Sequence, residues 1–223
     1  AGGAAVANTD GTVASQVSAN VAGGFSIVGY TGNGTAGSTI GTGLSAPAEM
    51  IIVKSTSIVD NWWTWHKGLT SIDYYLTLNN TTDETYFAGN IFGGTLPTSS
   101  VFSVGADFST NGLNNELIAY CWHSVPGYSK IDSYVGDGGT NNFISTGFEP
   151  AFVMIKRTDD PSNWRIFDNK RGTQKELYPN SSAAQPPSVS YINFNDLGFT
   201  LTSSGGWINN LNGKFIYMAF ATS

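Results

Sequence analysis

Short apolar segments alternate with turn-forming residues along the whole chain. Met50–Val53, for example, is apolar at every position, as expected for an inner strand with both faces covered. Gly, Asn, Asp and Pro separate such segments at intervals typical of a sandwich or barrel. The pattern predicts strands at 24–30, 49–55, 61–67, 74–79, 101–104, 116–123, 128–134, 151–157, 163–168, 189–194, 198–202 and 214–220. Sustained helical periodicity is missing, so we expect almost no helix.

The pattern also repeats within the chain. The segment from Phe25 to Lys54 recurs from Tyr128 to Lys156, and each copy closes with an apolar strand. The matched pairs include Tyr30 with Tyr134, Pro47 with Pro150, Lys54 with Lys156, Trp62 with Trp164, and Trp65 with Phe167. Internal repetition of this kind predicts two tandem β-sandwich-like (jelly-roll-type) domains related by duplication, at 24–126 and 127–223. Val125-Pro126-Gly127 forms the junction.

The tetrads that follow the two matched tyrosines, TGNG and VGDG, place Asn or Asp beside Gly. These residues tolerate positive φ, so each tetrad predicts a tight hairpin.

Residues 1–23 differ from the rest, because small residues dominate and aromatic residues are missing. We expect an extended N-terminal arm or linker outside the core. Two roles stay open: a flexible linker from a preceding domain, or a strand that docks on a neighbouring subunit. The chain starts at Ala1, which leads us to expect processing or a fragment of a longer protein.

The amino-acid composition indicates which kinds of partner the chain can bind. Charged residues make up 12% of the chain, against about 25% in average globular proteins. A neutral surface of Asn, Ser, Thr and Gly suits contact with other chains or with sugars, because little charge must be desolvated. The net charge of −6 argues against nucleic acid as a partner. Without an apolar run of about 18 residues, membrane insertion is not expected.

Candidate chemistry is sparse, and we expect no enzyme, no catalytic residue, no cofactor and no metal. When the two copies are aligned, the two histidines, His66 and His123, correspond to Asp168 and Ala221, so neither histidine is present in both copies. The acidic residues fall mostly in predicted turns, and none of those in turns is a carboxylate in both copies. The oxygen-rich loop 137–142 is the best calcium candidate, but turn chemistry explains it more simply. Cys121, in an apolar strand, is predicted to be a buried, inert thiol.

Aromatic residues supply the binding candidates. Trp62 and Trp65 match aromatic residues in the second copy and are predicted to be core. Trp63 matches Arg165, so this position tolerates a charge and is predicted to be exposed; Trp207 lies in a predicted loop. An exposed Trp marks a sugar-stacking or protein-contact site, although a Trp half-covered by a loop is equally compatible. Trp63, Arg165 and Trp207 are the candidate surface contacts.

Longer stretches resemble an uncharacterised tandem-repeat β domain found in bacteriophage tail-fibre and other virion structural proteins, often of marine phages. The resemblance extends from Asn8 onward and is most specific in CWHSVPGYSK and FDNKRG. One departure is Thr42 in TIGTGL, where family members often carry His, so any role of that His is absent or altered here.

The resemblance implies a virion protein displayed on the outside of the particle. We therefore expect a non-enzymatic tail-fibre or adhesin module, or an outer structural or decoration subunit. Its expected partners are itself, as a homo-oligomer, other virion proteins and a host-surface glycan. The alternatives are a secreted carbohydrate-binding module, an extracellular filament subunit and, last, a polysaccharide-degrading spike enzyme.

Overall fold

The computed structural model describes residues 2–187 and 191–222, and in this part of the chain the protein is all-β. Strands account for 41% and helix for 2%, which confirms the predicted fold class. The helix α1 is the single turn Phe108–Asn111, and the Asp107 carboxylate caps it by accepting a hydrogen bond from the Ser109 amide.

Backbone contacts divide the chain into two compact units. Unit 1 comprises residues 1–77 and 84–123, and unit 2 comprises residues 78–83 and 124–223. The short segment 78–83 therefore belongs to the unit formed by the second half of the chain. The Thr81 carbonyl anchors it there by accepting a hydrogen bond of 2.8 Å from the Ser162 amide.

Unit 1 contains ten strands in the described residues. They are β1 (Val6–Asn8), β2 (Ser15–Asn20), β3 (Phe25–Thr31), β4 (Ser38–Gly41), β5 (Met50–Ser55), β6 (Trp63–His66), β7 (Tyr74–Thr77), β8 (Thr85–Tyr86), β9 (Val101–Val104) and β10 (Glu116–Trp122). Eight of them form one sheet in the order β1-β2-β3-β10-β5-β6-β7-β8, and β4 pairs with β9. Tyr30 of the large sheet meets Phe102 of the small one edge to face, with ring centroids 6.2 Å apart. Apolar packing between two sheets thus closes the core of unit 1.

Unit 2 contains eight described strands. They are β11 (Ser129–Val135), β12 (Asn142–Ser145), β13 (Pro150–Arg157), β14 (Arg165–Asp168), β15 (Glu176–Leu177), β16 (Ile192–Asn195), β17 (Gly198–Leu201) and β18 (Lys214–Ala221). They form a five-stranded sheet, β11-β18-β13-β14-β15, and a three-stranded sheet, β12-β17-β16. Tyr134 and Phe199 join the two sheets, again edge to face. The core around them includes Val153, Phe167 and Phe215.

Each of the twelve predicted strands has an observed counterpart within a few residues, although the beginning of the predicted strand 189–194 lies outside the described residues. Six short observed strands, β1, β2, β4, β8, β12 and β15, were not predicted. The expectation that residues 1–23 lie outside the core was wrong for their second half. Strand β2 pairs along its length with β3 of the same chain, and Val13 and Val17 are buried. Buried and exposed side chains alternate at the start of β2, because successive side chains of a strand point to opposite faces of the sheet. Small residues are therefore sufficient to bury one face of this strand.

The two Gly-rich tetrads were also misassigned, since neither makes a hairpin. Strand β3 ends at Thr31 and pairs with β2 and β10, whereas β4 pairs with β9 in the other sheet. The tetrad between them carries the chain from one sheet to the other. Gly34 adopts a φ of 69°, and so does Gly138 in the second tetrad, a conformation that glycine reaches without strain.

Candidate functional site

Two of the three predicted contact residues, Arg165 and Trp207, lie together in unit 2. The Arg165 guanidinium carbon is 5.7 Å from the centre of the Trp207 ring. Trp207 is 48% exposed. Arg165, in contrast, was predicted to be on the surface and is buried, with 6% exposure. The prediction failed because it took the charge of Arg165 as a sign of exposure and missed the partner that neutralises the arginine.

That partner is Glu176. Strand β14 carries Arg165 and pairs with β15, which carries Glu176, and the two side chains form a buried ion pair. The Tyr178 hydroxyl donates a hydrogen bond of 2.5 Å to the second carboxylate oxygen of Glu176. A charged pair removed from water is tolerated only when further hydrogen bonds satisfy its remaining atoms, and Tyr178 contributes one of them.

Aromatic rings surround the guanidinium. Its carbon lies 5.1 Å from the ring centre of Tyr178 and 5.9 Å from that of Tyr191, in addition to Trp207. Contacts at these distances are attractive because the face of an aromatic ring is electron-rich. Arg165 Nε is buried and has no hydrogen-bond partner. A buried donor without an acceptor costs about 1–3 kcal/mol.

A second arginine holds the loop that carries Trp207. Arg157 Nη1 donates a hydrogen bond of 2.7 Å to the Gly206 carbonyl, and its Nε donates one of 2.7 Å to Asp159. The Asp160 carboxylate lies 2.9 Å from Arg157 Nη1. Burial acts to raise the pKa of Asp159, but hydrogen bonds from Arg157 and from the Lys214 amide outweigh it, so this pKa lies below its usual value. Arg157 thus fixes the loop through its hydrogen bond to Gly206 and its ion pairs with Asp159 and Asp160.

These residues border an open pocket of about 460 Å³. Its wall combines the Trp207 ring and Arg165 with polar groups from Thr81, Asp160, Ser162 and Asn163. An aromatic surface beside a few convergent polar groups is the usual composition of a small-molecule site. The pocket lies entirely within unit 2.

Lys156 lies next to this region on strand β13. Its side chain is fully buried, and its Nζ donates a hydrogen bond of 2.7 Å to the Arg157 carbonyl. Burial lowers the pKa of Lys156 to about 8, although Asp83 and Asp160 oppose that shift by favouring the charged form. This lysine therefore titrates close to physiological pH.

Trp63, the third predicted contact residue, lies in β6 of unit 1 and belongs to a different cluster. It is partly buried, its Nε1 donates a hydrogen bond of 3.0 Å to Asp60, and its ring packs against Tyr75 with centroids 4.8 Å apart. The structure thus brings together Arg165 and Trp207 and places Trp63 elsewhere.

The remaining candidates have structural surroundings. His66 and His123 are buried, and His66 Nδ1 accepts a hydrogen bond from the Gly68 amide. Cys121 is buried, as predicted, and burial raises its pKa to about 12. Thr42, at the position where the resembled phage domain often carries His, is buried, and its hydroxyl accepts a hydrogen bond from the Leu44 amide.

In the oxygen-rich loop 137–142, the carboxylate that would bind calcium already accepts hydrogen bonds from neighbouring groups. Asp137 Oδ1 accepts from the Gly139 amide and from Asn209 Nδ2, each at 2.8 Å. These bonds lower the pKa of Asp137. Within residues 2–187 and 191–222, no cluster of three or more His, Cys, Asp or Glu side chains is placed to hold a metal ion.

Sequence reasoning missed Arg157, Asp160, Ser162 and Asn163 as pocket residues. Alignment of the matching segments of the two halves contains a signal, because the first half carries Ser55, Ser57 and Ile58 where the second carries Arg157, Asp159 and Asp160. Three charged residues at one end of a strand, opposite three uncharged ones, mark a place where the surface chemistry of the two halves differs.

Comparison with known families gives one match. All of residues 1–223 match the family described as Domain of unknown function (DUF7483). The chain therefore belongs to the DUF7483 family. Searches of curated proteins and of solved structures found no match. Among the described residues, helices long and apolar enough to cross a membrane are absent.

Proposed function

We propose that this chain is a non-enzymatic module of a bacteriophage virion that contacts a glycan on the host surface. In this proposal it is part of a tail fibre or adhesin, or an outer structural or decoration subunit. It is displayed on the particle surface, where it associates with its own copies and with other virion proteins. The observation that carries the binding role is the half-exposed Trp207 at the edge of the polar pocket in unit 2.

The proposal includes an internal duplication that gave two β-sandwich-like units, with the boundaries 24–126 and 127–223 predicted from the repeat. Asn111 and Asn209 support it, because both are fully buried and hold the Gly-rich tetrad of their own unit. Asn111 Oδ1 accepts from the Asn33 amide at 3.0 Å, and Asn209 Oδ1 accepts from the Asp137 amide at 3.1 Å. Asn114 and Asn212 then share a φ of 63°, which is rare for residues other than glycine. Independent origin of such matched details is improbable.

The same alignment shows what differs between the copies. Counting back two residues from the matched asparagines, Ser109 of unit 1 corresponds to Trp207 of unit 2, and Ser109 is buried. Trp63 corresponds to Arg165. The copies share turn and packing residues and differ at the pocket, so the pocket is the part that selection for scaffold stability does not explain.

The composition supports a surface role in an assembly. A surface rich in Asn, Ser, Thr and Gly buries little charge when it meets a neighbour or a sugar. The resemblance to phage structural proteins supplies the particle itself as the context. A secreted carbohydrate-binding module is the second candidate, and the same pocket favours it.

Two experiments test the proposal. Fluorescently labelled full chain is incubated with host bacteria before and after periodate oxidation of their surface sugars, with Trp207→Ala beside it. We expect the wild-type chain to bind untreated cells, and we expect this binding to be lost after periodate oxidation and in the Trp207→Ala variant. Binding that periodate leaves unchanged would refute the glycan role. Immunoelectron microscopy of phage particles with antibodies against the chain then separates the two candidates. Antibody labelling of the phage particles supports the virion module. If the particles are not labelled and the chain is found in the culture medium, the secreted carbohydrate-binding module is supported instead.

A further inference from the structure

The charges around the Trp207 pocket compensate one another. Arg165 is paired with Glu176, and Arg157 is shared by Asp159 and Asp160. Lys156, the third cation of this region, is buried and lies in the field of Asp83, Asp159 and Asp160. Three cationic groups are therefore opposed by four carboxylates, those of Asp83, Asp159, Asp160 and Glu176. Among the described residues that line the pocket, both cations, Arg157 and Arg165, are already paired. An anionic ligand would also be repelled by the Asp160 carboxylate, whose side chain is 57% exposed.

The unused hydrogen-bonding capacity points to a different ligand. Thr81, Ser162 and Asn163 line the pocket beside Trp207. The exposed Asp160 carboxylate can accept hydrogen bonds, and the Ser162 and Asn163 side chains add groups that donate and accept. A ligand that fits must therefore offer both hydroxyl donors and neutral oxygen acceptors, which are the two features of a sugar ring.

The third element is the ring of Trp207. The Arg165 guanidinium packs near the Trp207 ring, and 48% of Trp207 nevertheless stays exposed to solvent. The C–H groups on one side of a pyranose ring carry partial positive charge and pack on the electron-rich face of an indole. Arg157 fixes the loop through the Gly206 carbonyl, so the ring is held in position before a ligand arrives, which lowers the entropic cost of binding.

We infer that the Trp207 pocket binds uncharged pyranose units and discriminates against sulfated, uronic or sialylated glycans. The inference rests on the proposed glycan-binding function and adds the class of sugar. Trp207 supplies the stacking surface, Asp160 accepts hydrogen bonds from sugar hydroxyls, and the Asn163 amide donates one to a sugar oxygen. The two cations that line the pocket in the described residues, Arg157 and Arg165, are paired with carboxylates.

The test uses the purified full chain and glycans of defined charge. Biolayer interferometry is run with neutral dextran, mannan and galactan, and with acidic dextran sulfate, alginate and heparin, in 50 and 500 mM NaCl. Dextran and dextran sulfate share one backbone and differ in charge, so they form a matched pair. We expect binding to at least one neutral glycan, with an affinity that changes less than about twofold between the two salt concentrations, because screening acts on charges alone.

Variants locate the interaction. Trp207→Ala is expected to weaken neutral-glycan binding at least about tenfold, and Trp207→Phe to recover part of that loss, since a smaller aromatic face remains. Phe143→Ala serves as the control, because Phe143 is also in unit 2 and is 49% exposed against 48% for Trp207. Asp160→Asn is expected to weaken neutral binding and to increase the response to dextran sulfate, since it removes the exposed negative charge. Circular dichroism of each variant verifies folding.

The outcomes are distinguishable. Neutral binding lost in Trp207→Ala and retained in Phe143→Ala supports the inference. Preferential binding of acidic glycans, or neutral binding insensitive to Trp207→Ala, overturns the inference and leaves a glycan-binding function in place. Failure to bind any of the six glycans overturns the inference and, together with periodate-insensitive attachment to cells, the glycan role as well.

Discussion

The Tyr30 hydroxyl donates a hydrogen bond of 2.7 Å to the carbonyl oxygen of Thr110, 80 residues further along the chain. Tyr134 in unit 2 makes the same bond, also of 2.7 Å, to the Ile208 carbonyl. Burial raises the pKa of both tyrosines well above the ordinary value, so both hydroxyls stay protonated and remain donors. Each bond ties a strand of the large sheet to the segment that precedes the buried asparagine.

Tyr30→Phe and Tyr134→Phe are each expected to reduce the free energy of unfolding by about 1–3 kcal/mol, because each leaves a buried carbonyl without its donor. Guanidinium titrations measure the loss, and hydrogen exchange assigns it to the unit that carries the substitution. Tyr128→Phe is the control, since Tyr128 is 38% exposed. Wild-type stability in both variants would show that these bonds are replaced by water.

The buried pair of Arg165 and Glu176 gives a double-mutant cycle. Arg165→Met and Glu176→Leu are each expected to cost about 3–5 kcal/mol, because each leaves one charge buried and unpaired. Arg165→Met combined with Glu176→Leu should cost far less than the sum. The partly exposed pair of Lys67 and Glu49 is the comparison, where the corresponding changes should cost at most about 1 kcal/mol. Additive losses at Arg165 and Glu176 would argue against a coupled pair.

Lys156 predicts a dependence of stability on pH. Its pKa in the folded chain is about 8, against an ordinary value of 10.5. Between these values the unfolded chain binds more protons than the folded chain, so stability should rise as the pH increases from about 8 to 10.5. Below pH 8 the full cost of burying the charge is present.

Lys156→Met should therefore stabilise the chain most at neutral pH and flatten the rise above pH 8. Thermal melts at pH 7, 8, 9 and 10 measure this, and Lys54→Met at the partly exposed matching position in unit 1 is the control. An equal slope in Lys156→Met and wild type would assign the pH dependence to other groups.

Cys121 reports on the opening of unit 1. Its pKa of about 12 in the folded chain leaves a thiolate fraction of roughly 10⁻⁴ at pH 8, and the side chain is fully buried. Reaction with a thiol reagent should be undetectable over hours in buffer and complete within minutes in 6 M guanidinium. Rapid labelling of the native chain would mean that β10 is accessible to solvent.

The sequence was sufficient for the class of fold because strand length, apolar runs and turn residues are local properties. The position of Trp65 in the core also followed, since it aligns with Phe167 and is 3% exposed. Trp62 was predicted to be core by the same argument and is only partly buried. Strand β2 was missed because Ser and Ala carry little strand signal of their own. Its burial depends on pairing with β3, which is a tertiary property.

The site was only partly predictable for the same reason. Trp207 stood out as an aromatic residue among glycines, but its neighbours come from strands β13 and β14 and from the segment 78–83. Arg165 could not be placed, because its burial depends on Glu176, and the pairing of β14 with β15 that joins them is not visible in either residue type. Alignment of the two copies at Arg157 and Asp160 was the one indication in the sequence that charge accumulates there.

The segment 78–83 has a consequence for how the two halves can be separated. Thr81 lies in the first half of the chain, yet its carbonyl accepts hydrogen bonds from Ser162 and, at 3.5 Å, from Lys156 Nζ in unit 2. A fragment that starts at Ser124 would leave these donors without their acceptor and would lack one wall of the Trp207 pocket. Residues 124–223 transferred alone to another protein are therefore expected to form an incomplete Trp207 pocket, because the segment 78–83 that supplies Thr81 to its wall would be left behind.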